Sequence, residues 1–143
     1  IKTEVVDGQL IVTIPPPGVE ATQPMAITIR LPALESVALS TGAVGYLEHT
    51  GSALNVDISG GVQLTGIGDT PSLRLNATTG AHAMLDELVA QYAEVSLNDG
   101  STAELNVVTS VTGTATGGST VILSGSPAQV DIEATSGATV QGG

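Results

Sequence analysis

The chain of 143 residues contains no cysteine. That excludes a disulfide framework, a thiolate metal site and a cysteine nucleophile, and leaves the compartment open. It also lacks Phe and Trp, and its only aromatic residues are Tyr46 and Tyr92. The core must be built from Val, Leu, Ile and Ala, and a core of such small side chains must be thin. Basic residues are nearly missing: Lys2, Arg30 and Arg74 stand against fourteen Asp and Glu, for a net charge of −11. A nucleic-acid ligand needs a basic footprint to displace counterions, so nucleic acid is excluded as a partner. An anionic membrane surface is disfavoured for the same reason. No apolar run approaches the ~20 residues that span a bilayer, so no membrane insertion is expected. The acidity suits solubility by self-repulsion or a cationic environment. The chain opens at Ile1 without Met or a signal-like segment, as expected of a mature or excised form.

What is abundant is glycine, and it recurs. LSTGAV, ISGGVQL, ATTGAHAML, LNDGSTAEL, ATGGSTVIL and ATSGATV align on Gly42, Gly61, Gly80, Gly100, Gly118 and Gly137, at spacings of 19, 19, 20, 18 and 19. The neighbours align too. Five before each glycine stand Val37, Val56, Leu75, Val95, Gly113 and Ile132; three before stand Leu39, Ile58, Ala77, Leu97, Ala115 and Ala134. Three after stand Gly45, Leu64, Ala83, Ala103, Val121 and Val140; five after stand Leu47, Gly66, Leu85, Leu105, Leu123 and Gly142. The residue just after is always small or short. Period-two alternation on both sides of a glycine reads as strand, corner, strand. The glycine either adopts a backbone conformation closed to other residues or lets another backbone come close.

A unit of ~19 residues cannot bury its own apolar face, but stacked units bury each other's. The expected fold is all-β: a single-stranded parallel β-helix, or β-solenoid, of about six rungs spaced about 4.8 Å apart. The preference of parallel crossovers predicts right-handed winding. A left-handed hexapeptide helix would show period six, which is not found. One segment competes: LDELVAQYAE (85–94) has Leu85, Leu88, Val89 and Tyr92 at helical spacing. The repeat register makes it a turn and a strand instead. The length suits one structural domain overall, of which residues 1–30 read as a distinct beginning. Asp7-Gly8 between apolar runs signals a hairpin, Pro15-Pro16-Pro17 forces an extended connector, and AITIRLP (26–32) reads as the strand leading into the first full rung. Residues 31–143 are the solenoid.

DGQLIVTI, then ITIRLPALESVALSTGA, then the repeated [ST]-[ST]-G-[AS] phrases resemble the head GIN domain family of auto-transporter adhesins. The pattern L-P-x-L-x-x-V-x-L-S-x-G over 31–42 is the most specific part, and the similarity runs from about residue 5 to the end. The resemblance implies a right-handed β-helix, export to the cell surface or beyond (with the periplasm left open), and no catalytic residues to carry over. Family members carry further strands ahead of the segment matching DGQLIVTI, so the first rungs are expected to be uncovered. The fifth repeat, SVTGTATGGSTVIL, has Gly113 and Ala115 where other repeats carry larger residues, so this rung is expected to pack least well.

His49 and His82 fall in different columns and rungs, which does not favour a shared metal site, and both are expected to be solvated surface residues. Asp57 and Glu133 share a column four rungs apart, about 19 Å by the strand spacing, too far for the carboxylate pair of a glycosidase. Asp131 and Glu133 alternate to the outside of one strand and read as a solvated pair. GIGDTPSL (66–73) resembles one fragment of a calcium-binding nonapeptide without its tandem repeats. Asn76-Ala77-Thr78 is a glycosylation sequon, here read as a polar turn. No cofactor, metal or catalytic residue is assigned. The expected function is a non-enzymatic binding or adhesion module whose partner is a surface glycan or protein. The alternative is a subunit stacking on itself end to end through Val5, Ile132 and Val140, since no charged cap follows the last rung. A polysaccharide-acting enzyme ranks third.

Overall fold

The computed structural model describes residues 2–13 and 33–143. The chain forms two compact units, Ile1–Leu31 and Pro32–Gly143. In the first, β1 (Lys2–Val6) pairs antiparallel with β2 (Gln9–Thr13), with Val6 opposite Gln9. Asp7 and Gly8 both have positive φ, 51° and 80°, which makes the two-residue turn type I′. The Pro15–Pro17 connector and the strand read at 26–32 lie outside the described residues.

The second unit is a parallel β-solenoid. Its strands are β3 (Ser36–Ser40), β4 (Val44–His49), β5 (Leu54–Ser59), β6 (Gln63–Thr78), β7 (His82–Leu97), β8 (Thr102–Ala115), β9 (Thr120–Leu123), β10 (Gln129–Ala134) and β11 (Thr139–Gly142). One side of the coil carries the ladder β3, β5, the C-terminal halves of β6, β7 and β8, then β10. Another carries β4, the N-terminal halves of β6, β7 and β8, then β9 and β11. The inward columns are the ones the spacing marks. Val37, Val56, Leu75, Val95, Gly113 and Ile132 pair in sequence down one ladder, and Gly45, Leu64, Ala83, Ala103, Val121 and Val140 down the other. In the middle rungs these positions are sealed, with Leu75 at 1% and Leu97 and Leu105 at 0% exposure.

Each corner has two consecutive residues in the left-handed region: Thr41-Gly42, Gly60-Gly61, Thr79-Gly80, Asp99-Gly100, Gly117-Gly118 and Ser136-Gly137. A Cβ on the second glycine of any corner would meet nothing within 4 Å. The glycine is therefore there for its φ and not for a close approach. The corners also bond rung to rung. Gly42 N–H donates to the Gly60 carbonyl at 2.7 Å, Gly61 to Thr79 at 3.0 Å, Gly80 to Asp99 at 2.9 Å, and Gly118 to Ser136 at 3.0 Å. The short residue after the glycine turns inward. Ser101 and Ser119 are fully buried there, and their hydroxyls donate back to the carbonyls of Asn98 and Thr116 at 2.7 and 2.6 Å.

Residues 85–94 are strand, within β7. Their helical spacing has a simple origin. Asp86-Glu87 and Gln91-Tyr92 are exposed pairs where the coil bends, so the inward residues fall at Leu85, Leu88, Ala90 and Ala93. A bend that turns two neighbours outward imitates the three-residue step of a helix.

The fifth rung is not the least well packed, contrary to the reading of Gly113 and Ala115. Val111 and Ala115 are fully buried there, whereas Ile132 and Val140 of the sixth rung are only partly covered. Gly113 has φ +142°, and a Cβ on it would collide with the Val95 carbonyl oxygen. The missing side chain closes this rung by bringing backbone against backbone.

Candidate functional site

Alternation that points one set of residues inward points the other outward, and stacking lines these up as well. On the side that ends in β10, two outward columns run the length of the coil. One reads Asn55, Arg74, Glu94, Thr112 and Asp131; the other reads Asp57, Asn76, Ser96, Thr114 and Glu133. Within the first, the Arg74 guanidinium lies 3.3 Å from a Glu94 carboxylate oxygen. Within the second, the Asn76 side-chain amide donates to Asp57 Oδ1 at 3.1 Å. Two shallow depressions of about 350 Å³ each lie on this face. One includes Ser40, Ser59 and Thr78, the other Arg74, Glu94 and Ser96, and they meet at Asp57 and Asn76, which line both.

The other ladder presents a different surface. Tyr46 is 62% and Val44 82% exposed on β4. The Tyr46 hydroxyl donates to Glu48 at 3.3 Å. Its phenol is held above the ordinary value, first by local desolvation, then by the charge of Glu48, its hydrogen bond, and Glu87. On the same side His82 is half-buried, with Nε2 3.3 Å from Glu104.

His49 is not a solvated surface residue. It is 4% exposed, and its Nε2 lies 2.7 Å from the Ser52 carbonyl. Thr70, also buried, places its hydroxyl 2.7 Å from the same carbonyl. The cause is alternation. Gly45, Leu47 and His49 point inward in turn along β4, and His49 pairs with Gly68 in an unbroken register. In the next ladder the register slips by one after Thr65, so Gly68 pairs with the fully buried Leu88 and not with Glu87. A Cβ on Gly68 would strike the His49 carbonyl oxygen, so the two rungs touch backbone to backbone here as well.

The remaining sequence candidates separate. Asp131 and Glu133 are exposed neighbours on β10, and Glu133 is four ladder steps from Asp57. Among the described residues no three of His, Cys, Asp and Glu converge on a common point. Asp69, in the segment with the calcium-like fragment, is exposed on β6. Asn76 is a mid-strand residue whose amide is engaged by Asp57, and not a turn residue. Val5 is 70% exposed on β1, and Ile132 and Val140 lie on the last strands of the coil. The neighbourhood of Asp57 and Asn76 was readable in principle, since they stand 19 residues apart in one outward column. The inward columns alone do not reveal it.

Fold and faces together define a β-solenoid that displays ordered side-chain columns on a rigid coil. Residues 1–127 match the family model described as "Putative auto-transporter adhesin, head GIN domain", and the chain belongs to that family. The sixth rung, residues 128–143, continues the coil beyond the matched span. No curated protein and no solved structure matches the chain.

Proposed function

We propose that the protein is a non-enzymatic binding or adhesion module working outside the cytoplasm, at the cell surface or in the periplasm, on a surface glycan or protein. Family membership supports this reading, because the family is named for an adhesin head domain. The architecture agrees with it. Side chains on a stacked coil are fixed by two neighbouring rungs, which lowers the ordering cost of binding. The two carboxylate pairs weighed for a glycosidase are poorly placed: Asp57 and Glu133 stand four rungs apart, and Asp131 and Glu133 share one exposed strand. The test is adherence of the purified chain to glycan and protein arrays and to intact cells. Saturable binding supports the reading, and no binding on any surface removes it. Substrate turnover that disappears on changing Asp131 and Glu133 would replace it with the enzyme reading.

A second reading rests on the last rung. Among the described residues β10 and β11 pair only with β8 and β9, and Val130 on β10 is 44% exposed. Such an edge is a template for another strand. A second copy stacking there would make the protein a fibre subunit. Sedimentation across concentrations and electron microscopy decide it: filaments support stacking, and a strict monomer excludes it.

A further inference from the structure

We infer that the trough centred on Asp57 and Asn76 is the ligand site, and that its ligand is a neutral, polyhydroxylated chain such as an oligosaccharide. The inference rests on the binding-module reading and adds to it a place and a chemistry. The place follows from geometry. The two depressions lie on one face, share Asp57 and Asn76, and together span rungs from β3 to β7. Both are shallow and open, so they suit a ligand lying across the face and not one enclosed in a cavity.

The chemistry follows from which atoms are engaged. Asp57 receives one bond from Asn76 through Oδ1, and among the described residues its Oδ2 has no hydrogen-bond partner. Asn76 has a second amide hydrogen and its carbonyl oxygen available in the same way. Around them stand the hydroxyls of Ser40, Ser59, Thr78 and Ser96. Hydroxyl, amide and carboxylate groups thus follow one another at the strand spacing of about 4.8 Å. A sugar hydroxyl donates and accepts at once, and such a surface serves both halves of it.

Charge narrows the class. A phosphate, sulfate or uronate would face Asp57 and Glu94, and among the described residues lining the depressions the one cation, Arg74, is already paired with Glu94. A cationic peptide would find one carboxylate not offset by a cation, Asp57, because Glu94 is paired with Arg74, whereas the amide and hydroxyls around Asp57 suit a neutral ligand held by hydrogen bonds. Asp57 is the residue on which most depends, because hydrogen bonds to a charged acceptor are the strong ones.

The experiment is amide chemical-shift mapping on the full chain. The probes are neutral oligosaccharides of glucose, mannose, galactose and N-acetylglucosamine at millimolar concentration, and separately a lysine-rich peptide. The expected result is sugar-induced shifts confined to residues about 38–40, 57–59, 74–78 and 94–96. Asp57→Ala and Asn76→Ala should each weaken that binding by about tenfold or more. Tyr46→Ala, on the other ladder, should leave it unchanged, and unaltered circular dichroism should show that all three variants fold. Sugar-induced shifts centred on Tyr46 overturn the site but leave the binding module standing. Trough shifts with the peptide and none with sugars overturn the ligand class. No shift with any probe, in a chain that still adheres to cells, overturns the inference alone. A chain that adheres to nothing overturns the underlying reading as well.

Discussion

Gly113→Ala should be one of the most damaging single-methyl changes in the coil. Gly113 pairs with Val95 on one side and Ile132 on the other. At its φ of +142°, an added Cβ would overlap the Val95 carbonyl oxygen and lie 2.8 Å from that carbonyl carbon and 2.9 Å from the Val95 nitrogen. None of these atoms can rotate away. The backbone conformation costs about 1–2 kcal/mol for a residue with a Cβ. Forcing the strands apart costs about another 1–3 kcal/mol, and the weakened ladder bonds about 1 kcal/mol. The sum is about 3–6 kcal/mol. The internal control is Gly80→Ala, where φ is +68° and the new Cβ meets nothing within 4 Å. There only the conformational cost of about 1–2 kcal/mol applies. Urea denaturation followed by circular dichroism measures both: the midpoint should fall two to three times further for Gly113→Ala at an unchanged slope. Equal losses, or a larger loss at Gly80, would refute the claim that these glycines serve different purposes.

Gly66→Ala should behave differently again. Its Cβ would lie 2.6 Å from Leu85 Cδ2, the movable end of a side chain, so Leu85→Ala should partly rescue it, with a favourable coupling of about 0.5–3 kcal/mol in a double-mutant cycle. Thr79→Asn should stabilise the coil by about 0.5–1 kcal/mol in the same denaturation assay, because Thr79 holds φ 56°, a region Asn tolerates and a β-branched residue does not. His49→Phe puts a slightly larger flat ring in the same place and loses the bond to Ser52, and should cost about 1–3 kcal/mol. Glu48→Gln should lower the pH at which the Tyr46 phenol ionises in a spectrophotometric titration, since Glu48 helps hold it up. The raised phenol contributes stability that is fully present below about pH 10 and is lost as pH rises through its folded value.

The inward columns were legible because side chains on a strand alternate and the coil repeats them every 18 to 20 residues. Val37 through Ile132 could be aligned by eye. What was hidden had two causes. Insertions shift a column without announcing it: the slip after Thr65 turned Leu88 inward in place of Glu87, while His49 was masked by its polarity at the alternating position after Gly45 and Leu47. Bends use residues that carry no apolar signal. The residue before each corner glycine is Thr, Gly, Asp or Ser, and only the coordinates show that it too is left-handed. The candidate site was obscured differently. Asp57 was weighed against distant Glu133, and Asn76 was read as a turn. Their meeting depends on the outward columns, where no hydrophobic rule operates and every polar residue is acceptable to solvent.

The central claim is that residues about 19 apart are ladder neighbours from the first full rung through the last. Nuclear Overhauser contacts test it most directly, along Ile58, Ala77, Leu97, Ala115 and Ala134, which occupy one inward ladder. Inter-strand contacts between each residue's backbone and the next are the predicted result, including Ala115 with Ala134. Helical contacts within 85–94, or a last rung 128–143 with no contacts to β8 and β9, would contradict it.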